Sequence, residues 1–236
     1  MLEPVTCSEG LTVLHLFWRH PRGVDAGAAL AAIAAFEEAG GQAVTVATLG
    51  HKADLCVMAL GDQVWPLRDL QTALGAAGLE LVDSFVSITE VSEYAAGLPD
   101  EHKQNRLYPR LPPPDKPAWC FYPMTKRRLP DQNWYELPFD DRRELMYEHG
   151  ASGRRFAGRI VQLVTASTGL DDWEWGVTLF GRRIDDLKET VYTMRYDRAS
   201  AVYAEFGRFV TGLVGPPAEI LDRLAHPGET SATRED

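Results

Sequence analysis

Hydrophobic positions alternate between two rhythms along this chain. Residues 11–19 (LTVLHLFWR) are apolar and β-rich, which predicts a strand. Residues 26–40 (AGAALAAIAAFEEAG) are alanine-rich and close on glycine, which predicts a helix. Strands follow at 42–50 and 53–61, a helix at 65–79, and an alternating strand at 81–94. The order β-α-β-β-α-β is that of a ferredoxin-like unit.

Residues 95–117 (AAGLPDEHKQNRLYPRLPPPDKP) are proline-rich and polar, the pattern of a linker over the surface. The same order then returns. Strands are expected at 117–125, 159–168, 172–181 and 204–215, with helices at 137–158 and 183–200. The terminal HPGETSATRED reads as disordered. The expected fold class is therefore α+β, with two ferredoxin-like βαββαβ halves closing into a dimeric α+β barrel within one chain. The divisions fall at 1–94 (scaffold half), 95–116 (linker), 117–215 (ligand-binding half) and 216–236 (tail).

Composition narrows the function classes. The 236 residues are 45% hydrophobic and 25% charged, ordinary for a globular chain. A net charge of -10 argues against nucleic acid as a partner. No run approaches the roughly 18 apolar residues of a membrane span, and MLEPVTCSEG lacks the features of a secretory signal. Cys7, Cys56 and Cys120 are odd in number and widely spaced, which suits a reducing cytoplasm better than a disulfide framework.

Candidate chemistry concentrates in the second half. Tyr122 ends an apolar run and is followed by Lys126, Arg127 and Arg128; further cations stand at Arg154, Arg155, Arg195 and Arg198, with Arg106 and Arg110 in the linker. Clustered guanidinium groups in an acidic protein suit a small ligand with several carboxylates, and equally suit solvated faces paired with Asp and Glu. His149, before Gly150, is either an imidazole available to iron or a helix C-cap. Gln162 points away from Val161 and Leu163, toward a pocket or toward water. Trp173 and Trp175 are a core pair or the walls of a site for a flat ligand. His15, His20 and His51 carry no assignment.

The segments YPMTKRR, NWYELP, RRELMYEHG, GRRFAGRIVQ, GLDDWEWGVTLF and YTMRYDRASAVYAEFG, with LYPRLPP before them, resemble the coproheme decarboxylases of the chlorite-dismutase-like superfamily. The resemblance is dense over residues 117–215. It implies two ferredoxin-like halves in each subunit and a ring of five subunits. It implies a substrate that is also the redox cofactor, iron coproporphyrin III (coproheme). Hydrogen peroxide is the oxidant, two propionates leave as CO2, and haem b forms through a three-propionate intermediate. Contact with the ferrochelatase that supplies coproheme is a further implied partnership.

The resemblance also assigns residues. His149 matches the proximal iron ligand. Tyr122 matches the tyrosine whose radical takes a hydrogen from the propionate β-carbon. Met124 and Lys126 match the wall beside that propionate, Arg195 and Ser200 match propionate-binding positions, and Arg106 is expected to bind another. Gln162 matches the distal glutamine of one subgroup, where chlorite dismutases proper carry arginine. His102, the linker's histidine, lies outside the motif of the histidine subgroup. A haem or coproheme carrier, or a chlorite dismutase, are the competing readings.

Overall fold

The computed structural model describes residues 3–95 and 97–226. The first half follows the expected order: β1 (Thr12–Arg19), α1 (Ala26–Glu38), β2 (Gln42–Leu49), β3 (Leu55–Gly61), α2 (Val64–Ala76) and β4 (Glu80–Thr89). Asp25 caps α1, its carboxylate accepting from the Ala28 N–H at 2.9 Å. Every residue of β1 but the last is buried, because the strand is covered on both faces.

The second half comprises β5 (Ala118–Lys126), the short hairpin strands β6 (Arg128–Leu129) and β7 (Gln132–Asn133), α4 (Phe139–Arg154), β8 (Ile160–Ala166), β9 (Trp175–Gly181), α5 (Ile184–Met194), the single turn α6 (Arg198–Ala201), β10 (Ala204–Phe206) and β11 (Val210–Val214). Between the halves runs α3 (Asp100–Leu107), and after them α7 (Pro217–Ala225).

Four features depart from the sequence expectation. The linker is not structureless: DEHKQNRL forms α3, with Asp100 and Glu101 in its first turn and Arg106 in its last. The prolines flank this helix and do not interrupt it. The helix expected at 183–200 breaks after Met194 and resumes at Arg198, where the Asp197 carbonyl accepts from the Ser200 and Ala201 amides. The strand expected at 204–215 breaks at Gly207, where a Cβ would lie 2.6 Å from Pro123 Cγ. The tail contains α7, which buries Ile220 and Leu221 against the first half. Apart from His226, the segment expected to be disordered lies outside the described residues.

All the sheet pairings are antiparallel. Each half has the ferredoxin-like strand order, β2-β3-β1-β4 and β11-β5-β9-β8. The halves join through β4–β8 and β11–β2, so the eight strands from β5 round to β9 close on themselves, and β10 pairs with β5 on the same edge as β11, continuing it past the break. The α+β barrel expected from the duplication is the fold observed.

Period-two alternation then sorts the side chains. Val13, Phe17, Met58, Phe85, Trp119, Phe121, Leu163 and Phe180 fill the barrel. Leu14, Leu16 and Trp18 face outward under α1 and α2. In the second half, Cys120, Tyr122, Val177 and Leu179 face outward, against Leu187 of α5. No helix among the described residues is long and apolar enough to cross a membrane.

Candidate functional site

The outward row of β5 carries Cys120, Tyr122, Met124 and Lys126 in succession, because Trp119 and Phe121 take the alternate positions inside the barrel. The register extends this row sideways. Tyr122 lies opposite Val177, which lies opposite Val164; Cys120 lies opposite Leu179, which lies opposite Gln162. Gln162 therefore shares the outer face with Tyr122, two strands away, a separation of roughly 10 Å. Gln162 and Val164 are exposed there, while α5 covers the neighbouring β5 and β9.

Tyr122 is 7% exposed. Its ring stacks on Phe209 at 4.3 Å and meets Phe206 at 5.8 Å. Burial pushes the phenol's pKa up, and nearby Cys120 adds to this; Arg195 opposes it. The phenol thus stays protonated at neutral pH. The Arg195 guanidinium lies over the Phe206 ring at 3.7 Å and has no carboxylate partner among the described residues. Arg154, Arg155 and Arg198 likewise have no carboxylate partner among the described residues, but Arg195 alone of these lies over aromatic rings, Phe206 and Phe209, whereas Arg127 pairs with Glu205, Arg128 with Glu174, and Arg159 with Asp186 and Glu189. The last three fit the reading as solvated, paired faces, whereas Arg195 is left with its charge uncommitted.

Lys126 is buried, an expensive location for an ammonium. Its Nζ donates to the Ala199 carbonyl at 2.8 Å and lies 4.1 Å from the centre of the Trp134 ring. Its backbone N–H donates to the Glu174 carboxylate at 2.7 Å. Burial lowers the amine's pKa to about 8, with Glu174 partly restoring it.

His149 stands near the C-terminal end of α4, none of whose residues is buried. Its Nδ1 donates to Asp197 Oδ2 at 3.2 Å, and the other Asp197 oxygen accepts from Ser152 Oγ at 2.6 Å. Ser200 Oγ lies 3.5 Å from the same nitrogen. Partial burial lowers the imidazole pKa, Lys126 lowers it further, and Asp197 opposes both. A neutral ring with its proton on Nδ1 keeps the Nε2 lone pair for another group, and Nε2 has no partner among the described residues. A carboxylate behind the non-ligating nitrogen is the usual support of a metal-bound histidine. The donor set suits an iron porphyrin: one imidazole, a polar glutamine on a nearby open strand face, and an unpaired guanidinium.

The break between α5 and α6 places Asp197 and Ser200 behind His149, and the break between β10 and β11 folds Phe206 and Phe209 over Tyr122. The fold thus brings together His149, Ser200 and Lys126 as one group, and Tyr122, Met124 and Arg195 as a second beside it. Met124 is half-buried, opposite Phe206 and Trp175. Arg106 is exposed on α3, and no hydrogen bond or ion pair among the described residues joins it to either group. Trp173 packs at the barrel core, and Trp175 donates to Glu90 at 3.3 Å. His15 is inside the barrel, its Nε2 3.0 Å from Thr178 Oγ1.

Sequence reading passed over Asp197, Glu174, Trp134 and Phe209. A search for the carboxylate that a ligating histidine needs would have singled out Asp197 in MRYDRAS. Nothing in the sequence pointed to Glu174.

Two open grooves flank this region. One, of about 410 Å³, runs between α5 and β5–β11, lined by Cys120, Leu187, Val191, Tyr192, Arg195 and Phe209 among others. The other, of about 370 Å³, lies between α4 and the end of α5 and reaches Ser152, Tyr192 and Asp197.

Residues 25–215 match the family profile for chlorite dismutase. The protein belongs to the chlorite dismutase family. This family member is 44% identical over 179 residues to the coproheme decarboxylase of Staphylococcus carnosus, covering 71% of the chain and 70% of that relative. It is 41% identical over 209 residues to a provisionally named heme-binding protein of Natronomonas pharaonis. There it covers 82% of its own chain and spans about a third (34%) of that relative's length. Among solved structures it resembles a heme-binding protein from Thermus thermophilus, with a TM-score of 0.81, 35% identity, and 95% and 98% of the two chains covered. A chlorite dismutase mutant from Candidatus Nitrospira defluvii shares the fold, with a TM-score of 0.76 at 19% identity over 93% and 98% of the chains.

Proposed function

We propose that this family member is a coproheme decarboxylase, which binds iron coproporphyrin III and converts it to haem b with hydrogen peroxide. The observation that carries the reading is the pairing of His149 and Asp197: a neutral imidazole, oriented from behind, with Nε2 free for iron. The 44% identity to a coproheme decarboxylase favours this substrate over other porphyrins.

In this reading His149 holds the iron, and Arg195 and Ser200 meet propionates. Lys126 acts as a fixed positive charge beside Met124, since its ammonium is already committed to the Ala199 carbonyl. Arg106, exposed and free of the paired carboxylates, takes a further propionate at the outer edge. Gln162 supplies a neutral amide on the distal side, in place of a charged guanidinium. When bound, the iron porphyrin supplies the oxidising power drawn from peroxide.

Tyr122 then does the chemistry that belongs to the chain. Its protonated phenol gives up an electron and a proton, and the phenoxyl radical takes a hydrogen atom from the propionate β-carbon. Loss of the carboxylate as CO2, with a second electron, leaves a vinyl group. Each propionate plus one H2O2 and one proton gives one vinyl, one CO2 and two waters. Two such cycles give haem b through the three-propionate intermediate. A cytoplasmic ring pentamer receiving coproheme from ferrochelatase completes the reading.

The test is a peroxide titration of protein loaded with iron coproporphyrin III, followed by mass spectrometry of the extracted porphyrin. Two successive losses of one CO2 and two hydrogens are expected. Porphyrin that survives intact would make the protein a carrier, and oxygen release from chlorite would make it a chlorite dismutase.

A further inference from the structure

Tyr192 and Tyr196 form a phenol pair that neither the fold nor the proposed reaction requires. Four residues apart, Tyr192 in the last turn of α5 and Tyr196 in the turn just past its end, they lie on the same side. Their hydroxyl oxygens are hydrogen-bonded at 2.8 Å, and their rings meet edge to face at 5.4 Å. They are 55% and 70% exposed.

Their location connects them to the site. Tyr192 lines both grooves. The first also contains Arg195 and Phe209, and Phe209 stacks on Tyr122. The second contains Asp197, which holds His149, and Tyr196 itself. The pair thus stands between the two open grooves that reach the two groups of site residues. A phenol must lose a proton when it is oxidised, and exposure of Tyr196 gives that proton a direct route to water. The contact runs through the hydroxyl ends of the rings, the ends that carry the ortho carbons.

We infer that Tyr192 and Tyr196 are an oxidative cross-linking site, which closes to dityrosine with hydrogen peroxide when haem is bound. Each phenol gives up one electron and one proton. The two radicals join through a carbon–carbon bond between ortho positions, and transfer of each ortho hydrogen to its oxygen restores the two phenols. Overall, two phenols and one H2O2 give one dityrosine and two waters. The inference rests on the proposed haem chemistry for its oxidant. It predicts more cross-link with haem b than with coproheme, because coproheme's propionates consume the same equivalents.

The experiment is favoured by Arg195, where trypsin cuts between the two tyrosines. Without a cross-link, residues 189–195 and 196–198 separate. With one, they travel together at their summed mass less two hydrogens, and the protein shows dityrosine fluorescence. Haem-b-loaded protein is treated with peroxide. In a second arm, ligand-free protein meets a photogenerated one-electron oxidant. A parallel coproheme sample reports decarboxylation.

Joined peptides in the peroxide arm, lost in both Tyr192→Phe and Tyr196→Phe, are the expected result. If coproheme is decarboxylated while the peptides separate, the inference is overturned and the parent reading stands. If coproheme is untouched, the parent reading fails and the photochemical arm decides: joined peptides support the pair as a cross-linking site, and separate peptides overturn it.

Discussion

His149 and Asp197 are 48 residues apart in sequence, yet Asp197 Oδ2 lies 3.2 Å from His149 Nδ1. The contact exists because the chain turns out of helix at Arg195 and re-enters it at Arg198, which presents Asp197 to α4. Replacement of Asp197 by Ala removes the group that fixes the tautomer. Haem affinity, followed by the Soret band on titration, is expected to fall about 10- to 100-fold. Asp197→Asn keeps the shape and should recover part of it. Unchanged affinity in both variants would remove His149 as the iron ligand in this arrangement.

Tyr122→Phe tests the radical step separately from binding. The phenol oxygen has no hydrogen-bond partner among the described residues, so the variant should unfold within about 1 kcal/mol of wild type. Coproheme should bind nearly as before, and no CO2 should be lost on peroxide addition. Normal turnover would refute the role given to Tyr122.

His15 gives a pH-dependent signature of the barrel. Burial lowers its pKa to about 3 from an ordinary 6.5, so the unfolded chain takes a proton in that window and the native barrel does not. Stability is full above pH 6.5 and is lost as pH falls toward 3. The slope from this one group is about 1.4 kcal/mol per pH unit. His149, with its pKa also lowered, adds to the loss in the same direction. Denaturant melts at pH 7, 6 and 5 should show the decline, and His15→Gln should reduce its slope by about one proton.

Gly207 is where the last strand of the second half bends. A Cβ there would meet Pro123 Cγ at 2.6 Å and the Trp173 ring at 2.9 Å, rigid neighbours on both sides. Gly207→Ala is expected to cost about 1–3 kcal/mol. It should also disturb Phe206 and Phe209, and with them the packing of Tyr122, so decarboxylation should slow more than haem binding weakens. Thermal melts and the ratio of the two effects check this.

Much of the barrel was legible because its two halves repeat one rhythm of strands and helices, and alternation within each strand sorts lumen from outer face. Gln162 against Val161 and Leu163 is an example: the register confirms that it shares a face with Tyr122. The misses are breaks within continuous patterns. YTMRYDRAS reads as unbroken helix and AEFGRFVTGLVG as unbroken strand, because local propensity changes little across either break. The helix α3 was hidden by its flanking prolines, and α7 by the polar tail that follows it.

What the sequence by itself determined is therefore the two βαββαβ repeats, the face of Gln162 relative to its neighbours, and the candidates Tyr122, His149, Gln162 and Arg195. Tertiary structure alone decided which cations meet carboxylates and which meet rings. Arg127 and Arg128 met glutamates 78 and 46 residues away, whereas Arg195 met only rings. It also decided that Asp197 stands behind His149 and that Lys126 is buried against Ala199 and Trp134. The reason is physical: the state of a charged group is set by the partners and the water left around it once distant segments pack, and neither propensity nor periodicity carries that information.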